Sequence, residues 1–187
     1  MVIDVDRVLR EVLDREGWPT YTLHPNDRGG PTKGGITLRT LESWRGRRCT
    51  RAELKRLDET EALAILRRRY AEVQGIPLLG GRHNAIEASE LQMQVIDDAV
   101  LSGPVLAVKD LQRAVGVATD GIIGPKTLAA ILRTGDGACA RLAIERSLRL
   151  ARHVAANPDQ LVFLVGWLAR ALQFIKPPKT PMNTGLK

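Results

Sequence analysis

The sequence predicts a mainly α-helical fold in two lobes, with a glycine-rich loop between the first two helices. Three observations point there. Apolar residues recur at three- and four-residue spacing through most of the chain, whereas alternating strand patterns are nearly absent. A turn-rich stretch, "GIPLLGGRHN" (Gly75 to Asn84), interrupts the helical pattern and divides residues 1–80 from residues 81–175. With 187 residues, 44% of them hydrophobic, the chain has enough apolar surface for a buried core.

The elements follow in order. Val5, Val8, Leu9, Val12 and Leu13 mark a first helix that runs to about Glu16 and stops at Gly17, before Pro19. After the loop, Thr37 caps a short helix through Trp44, with Thr40, Leu41 and Trp44 on one side. "TRAE" (Thr50 to Glu53) and "DETE" (Asp58 to Glu61) have capping-box spacing. The second box opens a helix through Glu72 that buries Ala62, Ile65, Leu66 and Tyr70. The chain is helical again from Ala85 to about Leu101. Ser102 and Pro104 start a helix that ends at Gly116. Asp120-Gly121 forms a turn, and Pro125 opens the next helix. A long helix covers about 138–156, and Asn157-Pro158 separates it from a last helix through Phe174. Within that last helix, "LVFLVGWLA" (Leu161 to Ala169) is too short to span a bilayer and reads as a buried core helix. Trp44 and Trp167 lie on apolar helical faces and are expected in the core. The tail, residues 176–187, is basic and proline-rich and is expected to be disordered.

Composition narrows the function classes. The formal charge is +7 and the pI about 9.9, which draws the chain to polyanions. Nucleic acid is disfavoured, because neither a zinc-finger set nor an aromatic RNA-binding signature appears. "RGRRC" (Arg45 to Cys49) and "RRRY" (Arg67 to Tyr70) read as solvated helix faces. Cys49 and Cys139 read as free thiols. The histidines, His24, His83 and His153, lack metal-ligand spacing, so neither a metal nor a cofactor is assigned. Asp4 and Asp6 interrupt the N-terminus where a signal peptide needs an apolar run. Synthesis in the cytoplasm without a signal peptide, and no stable membrane insertion, are therefore expected.

Chemistry concentrates in "DREGWPTYTLHPNDRGGPTKGGIT" (Asp14 to Thr37). Glu16 ends an amphipathic helix near its buried face. The negative end of the helix dipole and partial burial both favour the protonated carboxyl that a general acid needs. Cleavage of a glycosidic bond requires such an acid and a second group across the bond. Asp27 is the candidate for that group, and the Thr32 hydroxyl for holding the water. Gly29, Gly30, Gly34 and Gly35 allow tight turns and close approach to a sugar. Trp18, Tyr21 and Tyr70 are candidates for stacking on sugar rings. The same residues also admit a plainer account, in which Asp27 belongs to a surface turn and Glu16 to a solvated helix end.

At these residues the chain resembles glycoside hydrolase family 108, the N-acetylmuramidases of phages and bacteria. "REGW…HPNDRGGPTKGGIT" is similar to the family's E-G-G-Y start and its D-P-G-G-x-T-x-x-G-I-T loop. "VIDDAVLSGPVLAVKDLQRAVGVATDGIIGPKTLAAI" (Val95 to Ile131) resembles the family's second part, a predicted peptidoglycan-binding domain. "IERSLRLARHVAANPDQLVFLVGWLAR" (Ile144 to Arg170) resembles its closing helices. The resemblance implies a helical lysozyme-like fold and hydrolysis of the β-1,4 bond between N-acetylmuramic acid and N-acetylglucosamine. It places the catalytic glutamate at Glu16, with Asp27 and Thr32 as partners. It also implies a phage or prophage endolysin or a tail lysin, with peptidoglycan as partner, action at the cell wall, and export by a holin or a secretion system. The chain departs from the pattern at Trp18 (a glycine in the family), Arg28 (a proline) and Leu101 (an asparagine). The alternative is a non-catalytic peptidoglycan-binding or phage-assembly module, for which "DGIIGPKTLAAI" is the relevant motif.

Overall fold

A computed structural model describes residues 5–23, 30–80 and 87–175. Helix α1 (Val5–Arg15) buries Val8, Leu9, Val12 and Leu13, the face its spacing predicts. It ends in a Schellman motif. Gly17 takes a left-handed φ of 79°, its N–H donates to the Asp14 carbonyl, and the Trp18 N–H donates to the Leu13 carbonyl.

A small antiparallel sheet follows, made of β1 (Tyr21–Thr22), β2 (Thr32–Lys33) and β3 (Ile36–Thr37) in that spatial order. Tyr21 pairs with Lys33, and Thr32 with both Thr22 and Thr37. Gly34 and Gly35 turn the β2–β3 hairpin with φ of 51° and 76°. Two consecutive positive φ values are what a tight two-residue hairpin needs. The sequence did not announce this sheet, because two-residue strands are too short to show alternation.

Helices α2 (Leu38–Arg45), α3 (Arg51–Lys55) and α4 (Glu59–Leu66) start at their expected caps, Thr37, Thr50 and Asp58. Thr50 and Glu53 form the full reciprocal box. Asp58 accepts from the Glu61 N–H at 2.8 Å, but the returning half is missing. The Glu61 carboxylate instead takes the Arg45 guanidinium in a two-pronged pair at 2.6 and 2.8 Å, which ties α2 to α4. α4 runs on into a π-helical turn, Arg67–Ala71. A 3-10 helix, Ile76–Gly80, leads toward the second half.

That half contains α5 (Glu87–Ser102), α6 (Pro104–Ala114), α7 (Pro125–Thr134), α8 (Gly137–Ala156) and α9 (Leu161–Leu172). α5 packs against α1, α6 and α8, and one hydrophobic cluster extends from Val8 to Leu142. Gly75 lets the chain pass close to the α6–α7 loop, where a Cβ would meet the Ile123 carbonyl oxygen at 2.3 Å. The Gln74 carbonyl accepts from the Ile123 N–H beside it, at 2.8 Å.

Polar residues are buried in two places. Gln112, almost wholly buried, holds the "DGIIGPKT" segment from inside. It donates to Asp120, the Ile122 carbonyl and Thr127, and accepts from the Gly121 N–H. The motif therefore acts as a turn and helix start whose polar groups are satisfied internally. The second place is an ionic knot. Asp97 and Asp98 of α5 and Asp110 of α6 are buried with Arg146 of α8, which has no exposed surface. Arg146 donates to Asp97 at 2.9 Å, Arg149 to Asp110 at 2.6 Å and to Asp98 at 2.7 Å, and Arg170 of α9 to Asp97 at 2.9 Å. Arg15 reaches the same Asp97 from the end of α1, at 3.2 Å. Burial pushes the Asp98 carboxyl above the usual carboxylate range, against the pull of Arg146 and Arg149.

Two sequence expectations are corrected. α9 is not a buried core helix. Of its residues only Ala171 is buried, and Val162 and Val165 are 79% exposed. The run is apolar on every side, so the face that docks on α8 leaves the remainder in solvent. Trp44, expected in the core, is 41% exposed. No described helix is long and apolar enough to cross a membrane. The tail, residues 176–187, lies outside the described residues.

Candidate active site

Glu16 occupies the C-cap of α1, one residue before the left-handed Gly17, and its N–H completes the helix by donating to the Val12 carbonyl at 3.0 Å. From there its side chain lies over the β2–β3 hairpin turn. A Cβ on Gly35 would come within 3.2 to 3.3 Å of Glu16 Cγ, Cβ and Oε2. A Cβ on Gly34 would come within 2.5 Å of Trp18 Cε3. The two turn glycines thus do more than supply positive φ. Gly34 admits the Trp18 ring, and Gly35 admits the carboxylic side chain of Glu16.

Glu16, Gly34, Gly35 and Tyr70 meet around a small cavity of about 110 Å³, closed by Val12, Leu66 and Val100. Glu16 itself is exposed rather than partly buried, because a C-cap residue stands beyond the packed face of its helix. Gly35, Leu66 and Tyr70 also line a groove of about 890 Å³ that runs between α2 and the end of α4. Arg39, Thr40 and Trp44 form one wall of the groove, and Arg68 and Arg69 the other. The cavity and the groove therefore make one concave face with a carboxylic acid at one end.

The other sequence-predicted residues sit as follows. Thr32 is on β2, half-buried, and its hydroxyl donates to the Gly30 carbonyl at 3.2 Å. Gly30 is in the left-handed region, with φ of 73°. Trp18 packs against the core, with Lys33 Nζ 4.9 Å from its ring centre. That ammonium also caps the end of α3, donating to the Lys55 and Leu57 carbonyls at 2.7 Å. Tyr21 has Lys55 Nζ 4.9 Å from its ring centre, and its buried hydroxyl lacks a partner among the described residues. Thr32, Trp18 and Tyr21 do not line the cavity under Glu16. Asp27 and Gly29 lie outside the described residues. Sequence reasoning missed the groove arginines and Trp44. Arg39 and Arg69 are thirty positions apart, and only the packing of α2 on α4 brings them together.

The family model for Glycosyl hydrolase 108 matches residues 9–103, and the one for Predicted Peptidoglycan domain matches residues 106–172. The chain belongs to glycosyl hydrolase family 108. This family 108 protein is also similar to a solved structure, that of Brucella abortus SagA. The two chains are 33% identical, the match covers 93% of this chain and 97% of that one, and the TM-score is 0.66. No curated protein matches the chain. The helical architecture is lysozyme-like, as the sequence resemblance implies. The family and the second matched region give the protein a hydrolytic or binding role on peptidoglycan.

Proposed function

We propose that the protein is an N-acetylmuramidase, cleaving the β-1,4 bond between N-acetylmuramic acid and N-acetylglucosamine. The observation that carries this reading is the position of Glu16. It projects from the end of α1 over a glycine turn that leaves room for it, beside a cavity that shares Gly35, Leu66 and Tyr70 with a larger groove. Glu16 is the general acid that protonates the leaving oxygen. Asp27 activates the attacking water or stabilises the positive charge on the sugar, and Thr32 orients the water. The separation of the two carboxyl groups decides between inversion and retention. In this reading residues 1–80 form the catalytic lobe, and residues 81–175 the lobe that grips the wall. A phage or prophage lysin, free or tail-bound, is one use of such an enzyme. The charge of +7 raises the rate of encounter with an anionic wall, so lysis weakens as salt is added.

The test is release of reducing sugar from purified peptidoglycan by wild type and by Glu16→Gln, both shown folded by circular dichroism. Wild type releases sugar and the variant does not. A folded wild type that binds several wall types without releasing sugar would leave the binding-module alternative in place of the enzyme.

A further inference from the structure

The groove beside Glu16 gathers three arginines whose charge is little offset. Most arginines among the described residues face carboxylates. Arg45 holds Glu61, Arg47 holds Glu53, Arg67 meets Asp6, and Arg146, Arg149 and Arg170 are bound into the interior knot. The three groove arginines differ. Arg39 is exposed and has no partner among the described residues. Arg69 donates to the Thr40 hydroxyl at 2.9 Å and lies over the Tyr70 ring, 5.6 Å from its centre, without a carboxylate. Arg68 approaches only Glu72, at 3.9 Å, with 70% of its side chain in water. No carboxylate is among the described residues that line the groove. Three cations are therefore held in one concavity with little internal neutralisation, next to the flat, exposed face of Trp44.

We propose that this groove is a subsite for the carboxylates of the peptide stems that peptidoglycan strands carry, and that it makes the protein selective for strands with free stem carboxylates. The guanidinium fork matches a carboxylate in shape and charge, and it is less strongly hydrated than an ammonium. The subsite rests on the reading of Glu16 as the catalytic acid. With the scissile bond at Glu16, the strand runs past Gly35 and Tyr70, and a neighbouring stem hangs into the groove. Trp44 offers an apolar surface to the stem's aliphatic portions.

The experiment compares binding before it compares turnover, so its failure is separable from failure of the muramidase reading. Glu16→Gln protein and Glu16→Gln carrying Arg39→Gln and Arg69→Gln are pelleted with insoluble peptidoglycan. The peptidoglycan is first stripped of phosphate polymers with hydrofluoric acid. A second portion of the same wall has its stem carboxylates converted to amides with carbodiimide and ammonium. The arginine substitutions weaken binding to the untreated stems about five- to twenty-fold and leave binding to amidated stems unchanged. In the Glu16-containing enzyme the same substitutions raise KM on untreated stems by a similar factor. Arg39→Gln alone, at an exposed side chain, gives a smaller loss without a folding defect. Equal loss on both walls would overturn the proposal, because the arginines would then grip glycan or hold the fold. An arginine effect seen only on walls that keep their phosphate polymers would also overturn it, since the ligand would then be phosphate.

Discussion

Arginine is used in two opposite ways in this molecule, and the contrast separates what holds the fold from what faces the ligand. In the second half, Arg146 is fully removed from water and Arg149 and Arg170 are mostly so, and all three are matched to Asp97, Asp98 and Asp110. Charges taken out of water are costly unless they are paired, so the knot, although it leaves Asp98 Oδ2 and Arg146 Nη1 without a hydrogen-bond partner among the described residues, ties α5, α6, α8 and α9 to one another. Arg15 extends the knot to α1, one residue from Glu16. In the groove, Arg39, Arg68 and Arg69 stay in water with their positive charge little offset. There the desolvation cost falls due only when a ligand arrives, and a carboxylate ligand offsets it. The buried, balanced arginines of the knot specify structure, while the exposed, unbalanced ones of the groove are available to a ligand.

The comparison breaks most clearly at the knot. Arg146→Ala takes a fully buried cation out of the knot, leaves Asp97 and Asp98 each with one partner fewer, and should lower stability by about 3–5 kcal/mol in urea unfolding. A loss below about 1 kcal/mol would show that the knot is not structural. Next come the hairpin glycines. Gly34→Ala combines a left-handed backbone with a clash on the Trp18 ring. It should cost about 1–2 kcal/mol from the backbone and a further amount, about 1–3 kcal/mol, from overpacking. Gly35→Ala carries the same backbone cost of about 1–2 kcal/mol, but its new methyl presses on Glu16 rather than on the core. Its loss of turnover should therefore exceed what its smaller loss in melting temperature accounts for.

Smaller effects come from exposed charges. Glu53 accepts from Arg47 and from Thr50, and these hydrogen bonds, Arg47's foremost, hold its carboxyl down at about 2. A carboxylate depressed in the fold stabilises it fully above its unfolded pKa, and that contribution fades as pH falls toward the folded value. Glu53→Gln should thus melt below wild type at pH 7, and the gap should close as pH drops from about 4.3 toward 2. A gap that stays constant over that range would remove the charge from the explanation. The smallest effect on stability belongs to Arg39→Gln, within about 0.5 kcal/mol, although its effect on wall binding is measurable.

What the sequence disclosed was mostly local. The first helix was legible because Val8, Leu9, Val12 and Leu13 repeat on one face and Gly17 ends it. The caps at Thr37, Thr50 and Asp58 were legible because each accepts from a backbone N–H three residues on. The position of Glu16 followed from the same helix end. Features made by tertiary packing were not legible. The hairpin strands are two residues long, α9 has no apolar period to say which side packs, and the groove joins residues 39 and 69 across two helices. Asp97, Asp98 and Asp110 look like any helical aspartates until α8 brings Arg146 and Arg149 against them. Asp27, the expected partner of Glu16, falls outside the described residues.

The most direct test of the central claim is the identity of the sugar at the new chain end. Purified peptidoglycan is digested, the products are reduced with borohydride, and mass spectrometry identifies the reduced terminal sugar, with Glu16→Gln run in parallel. A muramidase working through Glu16 gives reduced N-acetylmuramic acid from wild type. The variant gives a signal lower by about 10²- to 10⁴-fold, the contribution expected of a positioned general acid. Reduced N-acetylglucosamine at the new end, or undiminished cleavage by Glu16→Gln, would contradict the account.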